Sequence, residues 1–268
     1  MNVFFLGAVA GLVMGLTGAG GGVLAVPLLV FGLGLGVAQA APIGLVGIAT
    51  ATGVGTVLGL RAGTVRWRAA LLIGVVGVAV SPLGAIAAHA LPDAPLTLLF
   101  AAVLALSSSR TLYGALRPST IVARDEDLIP CLLNPASGRL RWTRRCAVFM
   151  AAVGGVSGWM SGMFGVGGGF VIVPSLKRYS DVSPREVLST SLAVIFIVSG
   201  SGAALALAHG RAAPAIAVPF SAGCLAMLLV GSAVAGRVNQ RWTTIAFAAV
   251  GFLVAGMLVL KVVGGLVV

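Results

Sequence analysis

No charged residue occurs between Met1 and Leu60. A water-soluble fold of that length must show a polar face somewhere, and this segment has no charge with which to make one. Further charge-free apolar runs cover 69–92, 94–109, 146–176, 187–210, 212–236 and 242–260. A helix needs about 20 apolar residues to span a bilayer. Most of these runs reach that length, and 94–109 does so with its flanks. Charged residues make up only 9% of the 268-residue chain, against about 25% in soluble domains. The 39 glycines fit the same reading, because close helix packing in lipid favours small residues. The expected class is an all-α polytopic membrane protein.

The formal net charge of +11 does not point to nucleic acid. The basic residues stand at the ends of apolar runs, where cytoplasmic loops place them, and none interleaves with aromatics in a stripe. Cys131, Cys146 and Cys224 lack metal-ligand spacing and read as small core or loop residues. No metal or cofactor is expected. The N-terminus lacks the basic start of a signal peptide, and its apolar stretch runs past 30 residues, so it reads as mature structure.

An internal repeat organises the chain. The segment G-L-T-G-A-G-G-G-V-L-A-V-P runs from Gly15 to Pro27, and G-M-F-G-V-G-G-G-F-V-I-V-P runs from Gly162 to Pro174. The same offset of 147 residues, without a gap, pairs Gly11 with Gly158, Leu45 with Leu192, Gly53 with Gly200, Gly55 with Gly202, Gly63 with Gly210 and Gly84 with Gly231. It also superposes Phe100-Ala101-Ala102-Val103 on Phe247-Ala248-Ala249-Val250. Chance does not hold an ungapped offset over about 100 residues of chain. The expected organisation is a first membrane repeat over 1–115, a polar cytoplasmic linker over 116–145 and a second membrane repeat over 146–268.

Each half shows four apolar blocks, and a plain count gives eight crossings with both halves in one orientation. The positive-inside rule disagrees. In the first half Arg61, Arg66 and Arg68 follow the second block. The matching loop of the second half has only Arg211, while Lys177, Arg178 and Arg185 lie one loop earlier and Arg237 and Arg241 one loop later. The charge pattern inverts, which needs an odd number of full crossings per half. The first block of each half supplies the remedy. It breaks at Gly18, Gly20, Gly21 and Gly22, or at Gly165, Gly167, Gly168 and Gly169, and glycine in a helix interior costs about 1 kcal/mol relative to alanine. Pro27 and Pro174 weaken the following segment further. The expected architecture is two inverted-topology repeats. Each opens with a glycine-broken hairpin, re-entrant or of two short helices, followed by three spanning helices.

These twin motifs, G-A-G-G-G-x4-P and G-V-G-G-G-x4-P, together with Ser189-Thr190-Ser191-Leu192, resemble the TauE/SafE family of sulfite exporters. The resemblance covers nearly the whole chain. It implies a multi-pass permease of the bacterial inner (plasma) membrane for sulfite or a small organosulfur anion such as a sulfonate. The first repeat departs from the pattern, with Ile43-Gly44-Leu45 where the second has Thr190-Ser191-Leu192. Any hydroxyl-based site is therefore one-sided.

The residues allow an anion site without the resemblance. A glycine-rich break bares backbone N–H groups, and the following helix adds about +0.5 of an elementary charge at its N-terminus. Two breaks approaching from opposite faces would hold one small anion between them at the midplane, with Ser189, Thr190 and Ser191 adding hydroxyl donors. Close packing is the competing use of such glycines. Among the acids only Glu186 lies near a block, so it is the one candidate for coupling transport to a proton; a first-turn helix Glu is its plainer role. The expected function is a membrane transporter, an exporter of a small anion. The alternatives are an anion channel or a permease for a small carboxylate. An enzyme is not expected, because no nucleophile–base pair or metal-ligand set lies in the apolar blocks. The partners are the anion and the lipid bilayer, with a homo-oligomer compatible with the sequence.

Overall fold

A computed structural model describes residues 2–18, 20–116, 131, 143–180, 182–235 and 240–264. Most of the 116–145 linker therefore lies outside the described residues, as does Arg237. The described residues form α1 (Val3–Thr17), α2 (Gly20–Leu33), α3 (Val37–Arg61), α4 (Trp67–Ala90), α5 (Asp93–Leu116), α6 (Arg144–Phe164), α7 (Gly169–Tyr179), α8 (Pro184–Ala208), α9 (Pro214–Val234) and α10 (Gln240–Val263). Among them, α3, α4, α5, α6, α8, α9 and α10 are long and apolar enough to cross a membrane. The all-α membrane class expected from the sequence is what the chain adopts. Its outer surface agrees: Val75, Ile86, Val218, Leu253 and Leu260 are each more than 60% exposed, a face that suits lipid and not water.

Each apolar block that opens a half is broken into two helices, of which α6 alone is long enough to span. α1 ends at Gly18, whose φ of 80° is left-handed, and the chain turns back as α2. α6 ends at Gly165, with φ 70°, and α7 follows after Gly168. At about 1.5 Å per residue, the 14 residues of α2 and the 11 of α7 are too short to cross the roughly 30 Å hydrocarbon core.

Two details correct the sequence reading. Gly20, Gly21 and Gly22 do not extend the first break, because α2 has already begun at Gly20. Two of them serve close packing. A Cβ on Gly21 would lie 2.1 Å from the Ala10 carbonyl oxygen, and one on Gly22 2.8 Å from that of Val166. Likewise Pro27 and Pro174 lie inside α2 and α7 without ending them, as Gly169 lies inside α7.

The halves interlock. α1 packs along α9 of the other half, where Cβ atoms on Gly7, Gly11 and Gly15 would strike the backbone of Phe220, Cys224 and Leu228. The ascending order on both helices makes the pair parallel. α4 and α6 repeat this seam, with Gly154 on Ile73, Gly158 on Gly77 and Gly162 on Ser81. α3 and α8 cross the centre antiparallel: Gly55 meets Leu192, and Gly202 meets Leu45. The 147-residue offset turns the first of these contacts into the second.

Candidate functional site

The two ends of the α3–α8 pair are held differently. At one end the loop between α3 and α4 clasps the start of α8. Thr64 Oγ1 donates to Ser189 Oγ at 2.9 Å, and the Arg66 backbone N–H donates to Thr190 Oγ1 at 3.0 Å. The Arg66 guanidinium reaches Glu186 Oε1 at 2.7 Å. Glu186 is also the N3 residue of a capping box with Ser183. Its local role follows from its place: it closes the first turn of α8 and ties that turn to the neighbouring loop. At the other end Arg211 donates to His89 Nε2 at 3.0 Å.

A cavity opens at each end. The larger, about 740 Å³, is lined by Leu16, Gly18, Gly55, Leu58, Thr64, Arg185, Leu188, Ser189, Leu192 and Ser232, among others. The smaller, about 240 Å³, is lined by Ala41, Pro42, Leu45, Ser81, His89, Met163, Ser201, Gly202, Leu205 and Arg211, among others. The offset that relates the halves relates the cavities as well. Leu16 corresponds to Met163, Gly55 to Gly202, Leu58 to Leu205, Leu192 to Leu45, Ser189 to Pro42 and Leu188 to Ala41. Each cavity has one arginine on its wall and, among the described residues, no acid. That electrostatic character favours anions and opposes cations.

Between the cavities the structure is packed: Ile48, Ile195 and Ser199 are buried and lie against Gly167. The second break meets α2, where Gly22 approaches the Val166 carbonyl. They are unequal. The first has a single left-handed glycine, Gly18, whereas the second has three, Gly165, Gly167 and Gly168. Among the described residues no backbone carbonyl accepts from the N–H groups of Val166, Gly167 or Gly168. The structure thus brings the second break against α8, where Gly167 faces Ser199 and Ile195. The three hydroxyls singled out in the sequence separate. Ser189 lines the larger cavity, Thr190 is buried under the α3–α4 loop, and Ser191 is fully buried. Ser191 and Ser199 have no hydrogen-bond partner for their hydroxyls. Ser199 escapes sequence reading. Its one signal is that its counterpart at the 147-residue offset, Thr52, is also a hydroxyl residue.

The family model for sulfite exporter TauE/SafE matches residues 3–258. The chain belongs to this family. Two similar proteins, each called a probable membrane transporter protein, come from Xylella fastidiosa, strains 9a5c and Temecula1 / ATCC 700964. Each is 30% identical over 191 residues, covering 70% of this chain and 67% of the relative. No solved structure matches the chain. As a family member with seven candidate spans among the described residues, it is a multi-pass bacterial membrane protein with a transporter role. Among the described residues no group of His, Cys, Asp and Glu could hold a metal.

One pairing has no precedent in the sequence reading. Cys131 and Cys146 form a disulfide, with sulfurs 2.07 Å apart. Cys131 also bridges to Ser180, so it sits at the open end of the α6–α7 hairpin. Nothing in the spacing of the three cysteines selects this pair.

Proposed function

We propose that the protein is a carrier that exports a small sulfur oxyanion, sulfite or a sulfonate, by opening a central site to its two cavities in turn. The two offset-related cavities carry this reading. They lie at opposite ends of α3 and α8, each with an arginine and no lining acid, and packed side chains separate them. A channel would need one continuous passage. A carrier needs two vestibules of which one is closed at a time, and their unequal volumes suit a state that favours the larger. The family supplies the sulfur anion. The substrate-binding set we propose centres on the second break, Gly165, Gly167, Gly168 and Gly169; Ser189, Thr190 and Ser191 stand toward the larger cavity, and Gly18 with Gly20, Gly21 and Gly22 form the opposing wall.

The two halves are proposed to be inverted repeats. In favour are the antiparallel course of α3 and α8 and the exchange of equivalent contacts between them. Counting each opening hairpin as a return, the α3–α4 loop, the linker and the α7–α8 loop share one side. Arg61, Arg66, Arg68, Arg144, Arg145, Lys177 and Arg185 then lie on that side, opposite Arg211 and Lys261. This bias makes the side of the larger cavity cytoplasmic. The Cys131–Cys146 disulfide pulls the other way, since disulfides are rare in the cytosol. We give the charge more weight, because many residues agree on it. Cysteines introduced at Arg68 and Lys177 on a Cys-free background should resist a membrane-impermeant thiol reagent added outside, while one at Arg211 is labelled. Labelling at Lys177 with protection at Arg211 would reverse the orientation.

Export needs no carboxylate in the membrane. A cytoplasm negative by 100 mV favours exit of one anionic charge by about 2.3 kcal/mol, more than tenfold in concentration ratio. Glu186, held by Arg66 and the Ser183 cap, is then a strut and not a proton carrier. Glu186→Gln should keep potential-driven anion flux within about threefold of wild type while lowering stability by about 1 kcal/mol or less through the lost ion pair, since Gln still serves at N3 of the capping box. A folded Glu186→Gln protein that binds anion but no longer transports it would make Glu186 the coupling residue.

A further inference from the structure

The geometry points to Ser199, with the bare N–H groups of the second glycine break, as the occluded binding site for a singly charged oxyanion. This rests on the carrier reading above and names the charge class that its central site accepts.

Position comes first. Leu192, Ser199 and Gly202 fall on one face of α8, at spacings of seven and three residues. Leu192 lines the larger cavity and Gly202 the smaller. Ser199 lies between them on the same stripe, about 10 Å from one and about 5 Å from the other at 1.5 Å per residue. A solute moving from one cavity to the other along α8 must pass it.

Chemistry comes second. Ser199 is completely buried, and its hydroxyl has no hydrogen-bond partner. A buried polar group left unpaired costs about 1–3 kcal/mol, so one retained in a packed interior needs an explanation. Ser191 is unpaired as well, but it lies eight residues earlier on α8, about 12 Å along the helix, too far to share one small anion with Ser199. Across from Ser199 stands Gly167. A Cβ there would lie 2.6 Å from Ser199 Oγ, so the hydroxyl touches the break whose N–H groups at Val166, Gly167 and Gly168 have no backbone acceptor. All of these are donors lacking an acceptor, and an oxyanion supplies several acceptors at once. The equivalent position of the first repeat does not offer this: the Thr52 hydroxyl is already spent on the Ile48 carbonyl at 2.7 Å.

Charge comes third. The stretches that meet here, 37–60, 146–176 and 187–208, contain no charged side chain. The cost of removing an ion from water grows with the square of its charge, whereas its attraction to neutral donors grows linearly. A site of hydroxyls and peptide N–H groups therefore admits a monoanion far more readily than a dianion. Arginines remain at the cavity mouths, where they attract anions without fixing them in the centre.

Isothermal titration of the purified full-length protein with methanesulfonate, a monoanion, and with sulfate, a dianion, at the same pH tests this. Wild type should bind methanesulfonate at least tenfold more tightly than sulfate. Ser199→Ala should weaken methanesulfonate at least tenfold while leaving the ligand-free Tm unchanged or raised, because it deletes an unpaired hydroxyl. Ser221→Ala, whose hydroxyl is bonded within α9, should bind as wild type does. Wild-type affinity in Ser199→Ala, or sulfate bound as tightly as methanesulfonate, overturns the inference and leaves the carrier reading standing. Failure of the wild type to bind either anion removes both.

Discussion

Gly158→Ile should abolish recovery of folded protein. Gly158 sits where α6 crosses α4, and a Cβ there would lie 2.2 Å from the Gly77 carbonyl oxygen. The obstacle is backbone, so no rotamer change relieves it, and the two helices must separate by an ångström or more. Overpacking ordinarily costs about 1–3 kcal/mol, and a seam that cannot yield exceeds that range. The same seam is repeated between α1 and α9, where a Cβ on Gly11 would meet the Cys224 carbonyl at 2.1 Å. Gly11→Ile should fail in the same way. Gly256 is the control, because a Cβ there meets nothing within 4 Å. Size-exclusion profiles of the detergent-solubilised variants report the outcome. A monodisperse Gly158→Ile peak at wild-type yield would show that the α4–α6 contact is not what holds the halves together.

The second large effect is on activity. Gly167→Val should leave the protein folded and reduce transport at least a hundredfold. Gly167 has a φ of 74°, which disfavours any L side chain by about 1–2 kcal/mol and a β-branched one by more. Its Cβ would also press on Ser199 Oγ. Unlike Gly158, it lies in the loop between α6 and α7, so its strain need not push long helices away from each other. Gly167→Ala should fall between Gly167→Val and wild type in transport, and its backbone strain should lower stability by about 1–2 kcal/mol. Normal flux in a folded Gly167→Val protein would make the second break a packing device.

The helices were legible because the bilayer imposes a length and excludes charge. Each of the blocks 39–60, 67–91 and 94–114 corresponds to one helix, as do 186–209, 212–236 and 242–264. The hairpins were legible for a different reason: two blocks exceeded one span and held glycine clusters. The extent of each break was not legible. Gly20–Gly22 and Gly167–Gly169 look alike in sequence, yet the first three continue a helix and Gly167 and Gly168 do not. Packing on the preceding helix does not separate them, since Gly21 meets the Ala10 carbonyl as Gly168 meets that of Ser157. Prolines 27 and 174 show the same limit, since α2 and α7 carry on through them. The site was half legible. Ser191 stood out within a motif, but Ser199 is one serine in an apolar helix until the facing residue is known. The Cys131–Cys146 pairing likewise depends on a fold that brings the linker back to the start of α6.

The central claim, that this family member carries a small sulfur oxyanion between two alternately open cavities, is tested most directly by flux in proteoliposomes. Vesicles loaded with radiolabelled sulfite are given a membrane potential of fixed sign, and efflux is followed with and without unlabelled sulfite outside. The expected result is saturable efflux that is faster when the interior is negative, accelerated by external sulfite, and lost in Gly167→Val. Efflux that rises linearly with concentration and ignores external sulfite would mean a channel, and transport of a small carboxylate with sulfite excluded would contradict the cargo.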